Sequence, residues 1–163
     1  MKKHLLLFLG VLIIGLSSCS KKDSGENIPP FDAEAQAKTD DNLIKAYLEA
    51  HPDIHATKHS SGLYYEILTQ GTGPYPTENS MVTVDYKGEL LKGTVFDEGT
   101  YTTFLNFRGN VISGWKKGIP LVKQGGKILL ILPSALAYGN ASPGPGIAPN
   151  AIMIFTITLK ETN

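Results

Sequence analysis

Val82-Thr83-Val84-Asp85-Tyr86-Lys87-Gly88, then a Lys92-Gly93 turn, then Gly93-Thr94-Val95-Phe96-Asp97 is the stretch that decides the architecture. Val82, Val84 and Tyr86 alternate with Thr83, Asp85 and Lys87, a period of two that puts an apolar and a polar edge on opposite sides of a half-buried strand. The same alternation recurs upstream, where Leu63, Tyr65 and Ile67 interleave with Tyr64, Glu66 and Leu68. Downstream, Leu129 and Ile131 and then Ile152, Ile154, Phe155, Ile157 and Leu159 supply the remaining apolar positions. Turn clusters at Gly71-Thr72-Gly73-Pro74, Lys92-Gly93 and Gly125-Gly126 separate these segments, and one short helical stretch lies near Trp115 to Gly118. Residues 62–163 therefore read as an α+β domain, a curved antiparallel sheet of five to six strands with one short helix packed on it.

Residues 32–61 read differently. Ala, Gln, Lys, Leu and Glu dominate, Leu43, Ile44, Tyr47 and Leu48 recur at helical spacing, and Pro52 ends the pattern. The expectation is a helix over about 40–50, extending back as far as 33, with Thr39 or Asp40 capping its second half and its apolar stripe packed on the following domain. Whether it covers the domain's binding face or lies behind the sheet stays open at this level. His51, His55 and His59 recur every four residues, the spacing that aligns imidazoles on a helix. Pro52 and Ser60-Ser61-Gly62 interrupt such a helix, so these are read as unrelated histidines and no metal site is expected.

The first twenty residues are of another kind again. Lys2 and Lys3 precede an apolar run over residues 5–16, too short for the ~20 residues of a membrane-spanning helix, and small residues follow. This is a secretory leader, residues 1–18. Leu16-Ser17-Ser18-Cys19 resembles the lipobox of bacterial lipoproteins, which implies that Cys19 is acylated and becomes the first residue of the mature chain. Residues 19–31, polar with a Pro29-Pro30 pair, are expected to be a flexible tether from that lipid. Ser20 after the cysteine favours the outer membrane by resemblance to the sorting of Gram-negative lipoproteins, with the periplasmic and surface faces both open.

Composition narrows the chemistry. The 163 residues carry 15 basic and 15 acidic side chains, a balance that argues against electrostatic nucleic-acid binding. Removal of residues 1–18 would take two lysines with it and leave a slightly acidic chain. One cysteine excludes an intramolecular disulfide framework and thiolate-rich zinc sites. Gln124-Gly125-Gly126-Lys127 lacks the rest of a Walker loop. No histidine follows residue 59 and no cysteine lies in the domain, so a nucleophile and base pair for hydrolysis is missing. Aromatic residues are in surplus instead: Tyr86, Phe96, Phe104, Phe107, Trp115, Tyr138 and Phe155 sit near strand ends or beside glycines.

The order of these residues carries a resemblance. The stretch already quoted, then Val111-Ile112-Ser113-Gly114-Trp115, Gly125-Gly126-Lys127, Ile131-Leu132-Pro133, Ala137-Tyr138-Gly139 and Ile147-Ala148-Pro149 before Phe155, resembles the FKBP-type peptidyl-prolyl isomerases over about residues 62–160. Tyr86 and Phe96 are ten positions apart, and Tyr138 and Phe155 seventeen, as in the small single-domain members. The resemblance implies a sheet half-wrapped around a short helix, with a pocket between them. It implies Trp115 as the pocket floor, Tyr86, Phe96, Val111, Ile112 and Phe155 as apolar walls, Asp97 and Tyr138 as a polar pair at the rim, and Ile147 in the flap loop. The Ile112 N–H would be the donor to a ligand carbonyl. Asp97, Tyr138, Phe155 and Trp115 would then act on the amide, the two polar ones by positioning.

Some positions depart from the family pattern. Glu98 follows Phe96-Asp97 where a serine is common, and Phe104, Leu105 or Phe107 supplies the next wall, with Phe104 and Phe107 favoured. Pro143 stands where a histidine is frequent, and Ala148 replaces the first of two prolines, which bears on substrate choice and on macrolide inhibitors such as tacrolimus. The functional expectation is a lipid-anchored, monomeric, cofactor-free prolyl isomerase acting on proline-containing unfolded or exported polypeptides. The alternative is an envelope chaperone that uses the same cleft to bind chains with little turnover.

Overall fold

The computed structural model of the protein describes residues 31–77, 79–105 and 110–163. The leader, Cys19, the tether up to residue 30 and Phe107 lie outside the described residues. The elements follow in the order α1 (Ala33–Ala50), β1 (Thr57–Lys58), β2 (Tyr64–Thr69), β3 (Met81–Leu90), β4 (Val95–Phe104), α2 (Ser113–Gly118), β5 (Lys127–Leu132) and β6 (Met153–Thr162). The strands form one antiparallel six-stranded sheet in the order β1-β2-β5-β6-β3-β4. This is the α+β architecture expected, with the short helix where the sequence put it.

The middle of the sheet explains its own sequence. Five consecutive residues of β5, Ile128 to Leu132, are buried, because a central strand covered on both faces has no solvent side on which to alternate. Ile128, Leu130 and Leu132 pack with Trp115 of α2, whereas Leu129 and Ile131 pack with Ile44 of α1. Successive side chains of a strand point to opposite faces, so α1 and α2 lie on opposite sides of the sheet. The N-terminal helix is therefore behind the sheet. Residues 31–163 make one compact unit that includes it.

On the α2 side, Gly114 and Gly118 let the helix settle directly on the sheet. A Cβ at Gly114 would collide with Leu132, and one at Gly118 would lie 2.5 Å from a Leu130 methyl. On the other side, α1 is one uninterrupted helix capped by Asp32, whose Oδ1 accepts the N–H of Glu34 at 3.0 Å and of Ala35 at 2.9 Å. This corrects the capping expectation. Thr39 and Asp40 sit in mid-helix, where the Thr39 hydroxyl donates back to the Ala35 carbonyl at 2.9 Å and Asp40 is buried. Asp41 anchors the same helix to the sheet edge: Lys45 lies 2.7 Å away, Lys58 of β1 contacts it closely, and the Tyr64 hydroxyl donates to it at 2.8 Å. These bonds, from Lys45 first, then Lys58 and Tyr64, hold the Asp41 carboxyl well below the usual carboxylate range. Burial and then the Asp41 carboxylate push the Tyr64 hydroxyl up to about 12.

Candidate active site

The α2 face of the sheet does not close over completely. A cavity of about 330 Å³ is lined by Tyr86, Phe96, Asp97, Tyr101, Asn110, Val111, Ile112, Trp115, Tyr138 and Phe155. Trp115, in the first turn of α2, is 5% exposed and Phe155 of β6 4%, so both are anchored in the core while still presenting a surface to the cavity. The two rings stand edge-on to each other at 5.5 Å, with Tyr86 edge-on to Trp115 at 5.1 Å and Phe96 edge-on to Phe155 at 5.6 Å. Such edge-to-face arrangements align positive ring edges with negative faces, which stiffens the cluster beyond what area burial supplies. Gly88 makes it possible, since a Cβ there would sit 2.7 Å from Phe96 and 2.9 Å from Phe155.

The polar groups are few and specific. The Tyr86 hydroxyl donates to Asp97 Oδ2 at 2.7 Å. Burial, and then the Asp97 carboxylate, push that hydroxyl up to about 12, so it stays protonated through the neutral range and keeps Asp97 in place as an acceptor. Tyr138, 43% exposed, stands at the rim on the segment after β5, and its carbonyl accepts the Ala141 N–H at 3.2 Å. Ile112 is the N-cap of α2, so its N–H falls outside the helix's own hydrogen-bond ladder. The Trp115 indole N–H is buried with no hydrogen-bond partner among the described residues.

Eight residues named from the sequence thus meet around one cavity: Tyr86, Phe96, Asp97, Val111, Ile112, Trp115, Tyr138 and Phe155. Ile147 packs against the same apolar cluster but is not among the lining residues; its carbonyl accepts the Ser142 hydroxyl at 2.6 Å within the flap loop. The wall after Phe96 is a residue the sequence reading missed. Tyr101 lines the cavity, with its ring 6.4 Å from Trp115. Asn110 was missed as well. Leu105 is buried in the core, and Phe104 ends β4 opposite Met81. Strand register brings Tyr101 there: β4 continues to Phe104, and Tyr101 pairs with inward-facing Val84.

What this arrangement can do is hold an apolar group against the indole while offering an acceptor and a hydroxyl at the rim. Among the described lining residues there is no serine, cysteine or histidine.

Known proteins resemble the chain over most of its length. Residues 73–160 match the family model described as FKBP-type peptidyl-prolyl cis-trans isomerase. The chain is 38% identical over 159 residues to the FKBP-type peptidyl-prolyl cis-trans isomerase FkpA of Escherichia coli K12, covering 89% of this chain and 58% of that protein. It is 39% identical over 136 residues to the outer membrane protein MIP of Legionella longbeachae, covering 78% of this chain and 57% of the other. A crystal structure of a peptidyl-prolyl cis-trans isomerase from Pseudomonas syringae superposes with a TM-score of 0.66 at 29% identity, over 83% of this chain and 98% of that one. The chain spans about half the length of the curated relatives it matches.

Proposed function

The chain belongs to the FKBP-type peptidyl-prolyl cis-trans isomerase family, and from that premise we propose that it accelerates rotation about X-Pro bonds by holding the twisted amide in the Trp115 cavity. The observation that carries this reading is an aromatic cavity with an indole floor and with Asp97 and Tyr138 among its lining residues.

The reaction asks for little else. Cis and trans X-Pro forms differ by ~0.5–1 kcal/mol, but rotation crosses a barrier of ~18–20 kcal/mol because it interrupts amide resonance. The planar amide is stabilised by charge separation that water solvates well. A twisted amide has lost that charge separation and loses less on entering an apolar site. A water-poor aromatic pocket thus binds the transition state better than the ground state. Trp115 and Phe155 provide the surface for the prolyl ring, the Ile112 N–H is the donor for a neighbouring carbonyl, and Tyr138 steadies the substrate at the rim. Asp97, oriented by Tyr86, accepts a hydrogen bond or holds its neighbours in place; no proton needs to leave either group.

The proposed substrates are proline-containing exported or envelope polypeptides. The leader-like N-terminus with Cys19 supports this, as does a relative whose name is outer membrane protein MIP. Acylation of Cys19 would tether the domain to the membrane, and mass spectrometry of the protein extracted from membranes tests it directly.

The activity test is cis-to-trans exchange of a short X-Pro peptide with wild type, Tyr138→Phe and Phe155→Ala. Acceleration by wild type that Phe155→Ala sharply reduces supports the isomerase. Absence of acceleration, with an unfolded proline-containing protein still retained, replaces it with a binding module.

A further inference from the structure

The rim residue Tyr138 is supported from the far side of the sheet. Asp40, in the middle of α1, is 1% exposed, and a carboxylate so buried is costly unless its lone pairs are taken. They are. Its Oδ2 accepts the backbone N–H of Ser134 at 2.8 Å and the Ser134 hydroxyl at 2.7 Å, and its Oδ1 accepts the Gln36 amide at 2.7 Å. Ser134 is itself 1% exposed and opens the 3-10 turn Ser134–Leu136 that follows β5.

From Ser134 the bonds continue into the rim. Its carbonyl accepts the N–H of Ala137 at 2.9 Å and of Gly139 at 2.8 Å, so the two residues flanking Tyr138 are tied to one oxygen. The Gly139 carbonyl in turn accepts the Asn150 N–H at 2.7 Å. Tyr138, by contrast, has no side-chain hydrogen bond among the described residues, and the residue is 43% exposed. Its position is therefore set by its backbone, and that backbone is set by Ser134. Docking of α1 does not need a carboxylate at this point, because Ile44, Tyr47 and Leu48 already bury against the sheet. What a buried carboxylate adds is a fixed acceptor for one particular N–H and one particular hydroxyl.

We propose that Asp40 is a positioning residue for Tyr138, so that α1, which touches no part of the cavity, is part of the isomerase site. For its effect on turnover the inference rests on the isomerase reading, and the test separates the two.

Backbone amide exchange and X-Pro peptide kinetics are measured on the full chain as wild type, Asp40→Ala, Asp40→Asn, Tyr138→Ala and the double variant Asp40→Ala/Tyr138→Ala. Exchange at the Ala137 and Gly139 amides is expected to quicken about tenfold in Asp40→Ala while β6 amides keep their protection. Asp40→Asn, which retains an acceptor for Ser134 while Gln36 turns its amide, is expected to stay near wild type in both readouts. Asp40→Ala is expected to lower kcat/KM about fivefold in the wild-type background, chiefly through kcat, and less than about twofold when Tyr138 is already alanine. Unchanged exchange at Gly139, or an equal loss of kcat/KM in both backgrounds, overturns the proposal. If Asp40→Ala does not fold, Ser134→Ala is taken through the same cycle and judged by the same criteria. A wild type without turnover defeats the isomerase reading alone, and exchange at Gly139 then decides this one.

Discussion

The two faces of β5 and β6 are built from alternate residues of the same strands, yet they are finished in opposite ways. Behind the sheet, Ile44, Leu129, Ile131, Ile152 and Ile154 form an aliphatic layer closed by α1, with Asp41, Lys45, Lys58 and Tyr64 sealing its edge. In front, Trp115, Phe155, Phe96 and Tyr86 leave a cavity and an indole N–H without a protein partner among the described residues. The back is covered by α1 and bonded along its edge, and the front keeps an open cavity ringed by edge-on aromatics. Branched aliphatic chains interdigitate without voids, whereas edge-on rings hold their geometry around a space. The same hydrophobic economy thus gives a closed layer on one face and an open cavity on the other.

If that division is real, substitutions on the two faces should fail in different assays. Phe155→Ala should lower kcat/KM by more than about tenfold in X-Pro peptide exchange, because it removes the ring joining Trp115 to Phe96. It should also destabilise the fold by ~3–5 kcal/mol, so the assay is read at a temperature where the variant is folded. Ile44→Ala should cost ~2–4 kcal/mol in urea unfolding, since Ile44 is fully buried, but leave kcat/KM of the folded protein within about threefold. Equal losses of activity in these two variants would break the comparison.

Within β4 the contrast can be sharpened residue by residue. Tyr101→Ala should raise KM about two- to fivefold for a peptide that fills the cavity, while its neighbour Thr100→Ala, bonded to Asp85 at 2.6 Å and absent from the cavity lining, should stay within about twofold. The smallest effect is expected at the back edge. Folding lowers the Asp41 carboxyl below its ordinary range, so its ion pairs stabilise the fold fully at neutral pH, and that contribution is lost as pH falls through and below ~4. Asp41→Asn has no such titration. The gap in urea midpoint between wild type and Asp41→Asn should therefore be open at pH 7 and narrow progressively in acid; a gap independent of pH would show that packing, not charge, fastens α1.

The amino-acid sequence by itself determined the class of fold and most of the site's membership. Alternation at Val82, Val84 and Tyr86 matches a strand with one buried edge, whereas in β5 only Leu129 and Ile131 were read from the sequence and the structure buries all of Ile128 to Leu132. The order of the aromatic and glycine blocks carries a family resemblance, and that resemblance implied eight of the cavity's residues. Tertiary structure decided the rest, because it depends on contacts between distant segments. The side of the sheet taken by α1 follows from which of two alternating faces of β5 its stripe met, and both faces are apolar. The partnership of Asp40 with Ser134 spans 94 positions and leaves no local trace. The place of Tyr101 in the cavity wall depends on a single irregularity. Between Gly88 and Glu89 the register of β3 against β4 shifts, from Glu89 opposite Val95 to Gly88 opposite Asp97. A one-residue bulge exchanges the faces of everything beyond it, and so it sets Tyr101 opposite Val84 and inside the cavity rather than opposite Thr83 and outside it.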